Sequence, residues 1–250
     1  MKIFVMDKYS IFTFVLIAVL AVVALPLSIE NVLEATTSPK ILPIYSVERS
    51  DNKVALTFNC AWEDGDIDSI LATLKNHNCK CTFFLVGTWA QKYPEAVKKI
   101  HADGHELASH SYNHTMYTQL SDAEIVADMD KCDSAIKEVI DKELKLVRVP
   151  SGDYNNSVVN TVRQSGRECI QWDVDSLDWK GLSEAQMPKR IMSRVKSGSI
   201  ILMHTGAKNA AAALENIINN LEEKGFTFST VGNLIFPSSD KIDHTGRQLQ

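Results

Sequence analysis

From Lys53 onward the chain alternates short apolar runs with longer stretches of helical period, and this alternation narrows its fold more than any other feature. The runs are VALTF (54–58), CTFFLV (81–86), HELAS (105–109), LVRV (146–149), ECIQWDV (168–174), SIILMH (199–204) and FTFSTV (226–231). Helical patterns fill 67–77, 93–103, 121–140, 157–165, 183–196 and 210–224. The third is the best marked: Ser121 and Glu124 form a capping-box signature, and Ile125, Met129, Cys132, Ile136 and Val139 share one face. Gly104, Gly166 and Gly225 follow helical runs, where a left-handed terminating residue is expected. Seven strands alternating with helices predict a parallel sheet with helical crossovers, open and doubly wound or closed toward a barrel. No GxGxxG or GxxxxGK[ST] follows the first run, which removes the main support for a nucleotide site.

Ahead of this region, residues 11–25 (IFTFVLIAVLAVVAL) carry no charge and follow Lys2, Asp7 and Lys8. With residues 26–29 they approach the length of about twenty that crosses a bilayer. The segment 1–29 reads as a single-pass membrane anchor with the following domain extracytoplasmic, or as the cleaved signal of a secreted protein. Residues 30–52 read as a linker, 53–236 as the main folded domain and 237–250 as a polar tail. The net charge of -5, without a basic stripe, gives no reason to expect a nucleic-acid partner and suits a neutral or weakly charged polymer; a monomer is expected. The five cysteines lack CxxC spacing and are expected to be buried free thiols.

Polar residues collect just after the strand-like runs: Asn59 to Asp66, His110 and His114, Arg148 to Tyr154, Asp173 to Trp179, and His204. The C-terminal ends of parallel strands are where α/β barrels place their chemistry. If His110-Ser111-Tyr112-Asn113-His114 continued as a strand, its imidazoles would stand about 13 Å apart. The chain must therefore turn there for the pair to share a ligand, and a carboxylate from elsewhere would complete an open three-ligand metal site.

The motifs TF (57–58), HSYNH (110–114), RVPSG (148–152), DSLDW (175–179) and LMH (202–204) resemble, in order and spacing, those of the NodB-homology polysaccharide deacetylases, carbohydrate esterase family four. The segments after the first motif and around IQWDVDSLDW resemble most the sporulation-associated PdaB-type subgroup. The resemblance covers residues 53–235 and implies an incomplete, irregular (β/α) barrel of about seven parallel strands. It also implies a divalent metal, commonly zinc with cobalt or manganese as alternatives, and N-deacetylation of a cell-wall glycan polymer such as peptidoglycan. Carried over by position, His110, His114 and Asp64, chosen over Asp66, are the metal ligands. His204 is the acid that protonates the leaving amine, and Asp175 orients it. Arg148 steers the base position, while Ser151, Trp179 and Leu202 line the substrate groove, Leu202 against the acetyl methyl.

Two departures stand out. Ser151 replaces the usual tyrosine, keeping a backbone N–H while losing the ring. Asn59 stands where the family has the Asp that takes the water proton, and an amide cannot accept it. Cys60 occupies the place of the motif's second Asp, as a small strand-end residue or as a thiolate ligand. Two functions follow as expectations: a metal-dependent N-deacetylase of low activity, or a silent member that binds glycan in envelope or spore assembly.

Overall fold

A computed structural model describes residues 39–250, of which 41–250 form one compact unit. The expected membrane segment lies outside the described residues, and no helix among these is long and apolar enough to cross a membrane.

The strands are β1 (Ser46–Val47), β2 (Lys53–Cys60), β3 (Thr82–Leu85), β4 (Glu106–Ser109), β5 (Leu146–Val147), β6 (Glu168–Cys169), β7 (Val174–Asp175), β8 (Ile200–His204), β9 (Thr227–Phe228) and β10 (Arg247–Gln248). Seven of them form one parallel sheet in the order β6-β5-β4-β3-β2-β8-β7, with β9 added to β2. The sheet curls, and β6 and β7 stay unpaired with each other, so the barrel is a half-barrel open at that seam.

Strand parity sorts the side chains. On β2, Val54, Leu56, Phe58 and Cys60 enter the large core beneath the helices, whereas Ala55 joins Phe84, Ala108, Leu146 and Ile200 inside the curl. Thr57 and Asn59 share the inner parity, and so do Leu202 and His204 on β8. The register sets Thr57 beside Leu202 and Asn59 beside His204.

Six predicted helices form within a few residues of expectation, and a short one at Gly87–Lys92 was not foreseen. Ser121 closes its capping box with Glu124 at the head of Asp122–Ile140. Gly104, Gly166 and Gly225 take φ of 76°, 79° and 79°, the left-handed conformation that ends a helix.

Other expectations need revision. The run 168–174 is two strand ends: Glu168–Cys169 pairs with β5, and Val174–Asp175 pairs with β8 at the other sheet edge. FTFSTV stops as a strand after Phe228, and Val231 opens a short helix. The expected linker and tail belong in part to the domain. Ile44 and Val47 are fully buried, and β1 pairs with β10, whose Gln248 is 1% exposed and binds the carbonyl oxygens of Phe236 and Ser238. Gly198 (φ 82°) receives this edge: a Cβ there would stand 1.8 Å from the Val47 carbonyl oxygen. All five cysteines are free and buried, as expected.

Candidate active site

A cleft of about 480 Å³ opens at the C-terminal ends of the strands, lined by Asn59 on β2 and Trp62 just after it, His110 and His114 after β4, Ser151 after β5, Trp172, Asp175 and Trp179 around β7, and Leu202 and His204 on β8. Eight of the ten residues expected in the site line it; Arg148 lies buried beneath, bonded to Asn59, and Asp64 is not among the lining residues.

The histidine pair forms as the turn argument requires. Ser111 (φ 68°) and His114 (φ 58°) take left-handed backbone and bend the loop, so the two rings meet edge to face with centroids 5.0 Å apart. The bend is held by Tyr112 N–H on Asp128 (3.0 Å) and Thr115 N–H on Ser111 Oγ (3.1 Å). His110 donates Nδ1–H to the Arg148 carbonyl oxygen at 2.7 Å, which fixes its tautomer and leaves Nε2 with a free lone pair. Burial pushes the His110 imidazole well below its ordinary value, aided by His114 and by the charge of Arg148. His114 is lowered too, first by burial. Both rings are therefore neutral at physiological pH.

No carboxylate joins them. Asp64 uses its carbonyl oxygen to start the helix at Ile67, and Asp66 Oδ2 accepts the Gly206 N–H at 2.8 Å. Among the described residues no group of three His, Cys, Asp or Glu side chains is placed to hold a metal ion. Asp64 is not gathered with the histidines into such a group, and the loop that carries it lies against Gly206 through Trp62 and Glu63. Cys60 is no substitute: β2 runs regularly to its end, so the thiol turns into the helix-side core, where burial raises it far above its ordinary value. The donor set is two neutral nitrogens, one carboxylate short of the expected His-His-Asp, and it does not fit the metal that the resemblance implies.

Arg148 is the largest fully buried side chain described. Its guanidinium lies 3.9 Å from the Phe84 ring centroid and 5.5 Å from that of Trp172. It donates to Asn59 Oδ1 (2.9 Å) and to the Gln171 carbonyl oxygen (3.2 Å), and Nε has no partner among the described residues. Burial pulls it down to about 9, which still leaves it charged at neutral pH, with an amide where a counter-ion is expected.

The opposite side is complete. His204 donates Nδ1–H to Asp178 Oδ1 at 2.8 Å, and its backbone N–H reaches Asp178 Oδ2 at 2.6 Å. Asp178 is 1% exposed and also accepts the Trp179 N–H at 2.8 Å. The orienting carboxylate is therefore Asp178, not the expected Asp175. Leu177 in left-handed conformation (φ 57°) reverses the chain and aims the later acid inward. Asp175 instead accepts the Leu177 N–H (2.8 Å) and meets Trp179 Nε1 at 3.4 Å on the cleft wall. Trp62 stacks on the His204 ring with centroids 5.2 Å apart and planes 24° from parallel. Ser151 takes φ 56°, and the turn it occupies is closed by Gly152 and Asp153 N–H on the carbonyl oxygens of Val149 and Pro150.

The profile of polysaccharide deacetylases matches residues 46–170, half of the sequence. The chain belongs to the polysaccharide deacetylase family. The chain spans only part of the length of several curated relatives it matches, 60% of one and 39% of another. It is 32% identical over 193 residues to the uncharacterized protein YlxY of Bacillus subtilis, covering 77% of this chain and 60% of that one. Against a peptidoglycan-N-acetylglucosamine deacetylase of Bacillus cereus it is 30% identical, covering 76% of this chain and 70% of the other. A carbohydrate esterase family four pseudoenzyme of Bacillus anthracis superposes with a TM-score of 0.75 at 29% identity over 83% of this chain and 73% of that one. A mutant of that pseudoenzyme with restored enzymatic activity is 31% identical with a TM-score of 0.74, over 77% and 70% of the two chains.

Trp62, Trp172 and Asp178 carry site geometry that the motif comparison left without a role. Strand parity could have found none of them, since none sits on a strand: Asp178 opens a 3-10 turn and the two tryptophans lie on loops.

Proposed function

We propose that this chain acts on the N-acetylated aminosugar strand of peptidoglycan, as a deacetylase whose turnover is held low by its missing carboxylates. One observation carries the reading: His204, oriented by the buried Asp178, faces a cleft walled by Trp62 and Trp179. These are the only large apolar side chains exposed among the described residues, at 46% and 49%. Exposed indoles flanking a cleft suit the apolar faces of sugar rings.

In this reading Nε2 of His204 delivers the proton to the departing amine, while Asp178 holds Nδ1–H and so keeps Nε2 turned to the cleft. The N-acetyl methyl lies against Leu202. Deacetylases of this family are generally metal-dependent, yet here the histidine pair stands without a third ligand, so no step is assigned to a metal. The domain works as a monomer outside the cell membrane, held by residues 11–29, in the envelope or in spore formation. Acetate release from peptidoglycan fragments and chitin oligomers, followed with oligomer binding on the same protein, tests the reading; neither release nor binding would refute it. Fractionation and protease accessibility on protoplasts test the location.

A second reading, that the protein is silent and only binds glycan, is favoured by the amide of Asn59 on Arg148 and by the incomplete donor set. Binding without acetate release, unchanged by added zinc, would select it.

A further inference from the structure

Asn59 is more than a lost base. An arginine side chain has donors only, so Arg148 Nη1 at 2.9 Å must face the carbonyl oxygen of the Asn59 carboxamide. That choice fixes the other end of the group. Its NH₂ turns away from Arg148, has no partner among the described residues, and belongs to a side chain that is 4% exposed yet lines the cleft. The arrangement is rigid: stacking on Phe84, with a bond to Gln171, pins Arg148, and Asn59 sits in the β2 register between Phe84 and His204. A family member with Asp here offers an acceptor; this chain offers a donor, preorganised in the wall of the cleft.

We infer that Asn59 Nδ2 is a specificity-determining donor that hydrogen-bonds the carbonyl oxygen of a bound N-acetyl group, so that the cleft reads and retains the acetylated sugar. This rests on the glycan reading above. Leu202, 2% exposed, lies beside the β2 inner face on the same cleft and supplies an apolar neighbour for the acetyl methyl. An acetamido group matches the pair: an acceptor oxygen and a methyl on one carbon.

The test compares two uncharged probes, N-acetylchitotetraose and its N-thioacetyl analogue, whose sulfur accepts an N–H weakly. Isothermal titration uses wild type, Asn59→Asp and Asn59→Ala, with free acetate assayed in each cell to correct for hydrolysis. The expected result is a wild-type preference for the oxygen probe of about threefold to tenfold, the range of one net hydrogen bond. In both variants the preference falls to about one. Circular dichroism and melting of the variants confirm folding; Asn59→Asp is isosteric and keeps the Arg148 contact. An equal preference in wild type and Asn59→Asp overturns the inference while glycan binding still stands. Failure of wild type to bind either probe overturns the inference together with the glycan reading.

Discussion

The two sides of the cleft are built to different standards. Around His204 a buried carboxylate takes three N–H groups, and an indole covers the ring. Around Arg148 the opposite holds, with a buried cation meeting only neutral acceptors and two neutral imidazoles lacking a carboxylate. In the deacetylase reading, the side that would hold and deliver a proton is the one supplied with a carboxylate, and the side that would take one from water has none. Loss of activity in such a chain does not require loss of the fold or of the groove, because the carboxylates that are missing supported chemistry and not packing.

The largest effects should come from breaking the complete side where turnover can be seen. In the Asn59→Asp variant, adding Asp178→Asn should lower acetate release by about 10²- to 10⁴-fold, since an amide no longer fixes which His204 nitrogen holds the proton. Near-normal release would mean that Asp178 only packs. Next comes repair of the other side. Asn59→Asp alone should raise acetate release at least tenfold within the same range for a positioned base. It should also raise melting temperature, by the equivalent of about 1 kcal/mol, as the Arg148 bond becomes charge-assisted. A lower melting temperature would show that the buried cation is satisfied by its aromatic neighbours.

A smaller effect is expected at the rim. Trp62→Ala should weaken oligomer binding by about 0.5–1.5 kcal/mol, read by titration calorimetry, the range for one aromatic contact. Unchanged affinity would place the glycan against Trp179 alone.

The smallest effect is a slope with pH. His110 and His114 are held below the ordinary histidine value, and His105, buried and near Lys80, is drawn down to about 4. The unfolded chain therefore binds more protons below about pH 6.5, so stability is full above that value and declines as pH falls toward the folded values. His110→Gln should flatten part of the slope of melting temperature between about pH 6.5 and 4, leaving the share of His105 and His114. An unchanged slope would contradict a neutral buried His110.

Sequence periodicity carried most of the fold. Strand and helix positions from residue 53 onward follow from apolar spacing, because a parallel sheet covered by helices imposes period two on one element and 3.6 on the next. It misled at ECIQWDV, where one apolar run serves both edges of an open sheet, and at residues 41–47 and 247–248, whose pairing depends on segments from opposite ends of the domain meeting. Such pairing leaves no local signature.

For the site, the motifs determined which residues line the cleft and that Asn59 cannot act as a base. Tertiary structure decided the rest. The loop after β2 folds over Gly206, where Asp66 takes the Gly206 N–H, while the reversal at Leu177 gives His204 to Asp178 in place of Asp175. Sequence also held, in the parity of β2, that Cys60 and Asn59 face opposite ways. Which way the Asn59 amide turns was settled only by the guanidinium 89 positions away, since a donor-only neighbour leaves the oxygen no alternative.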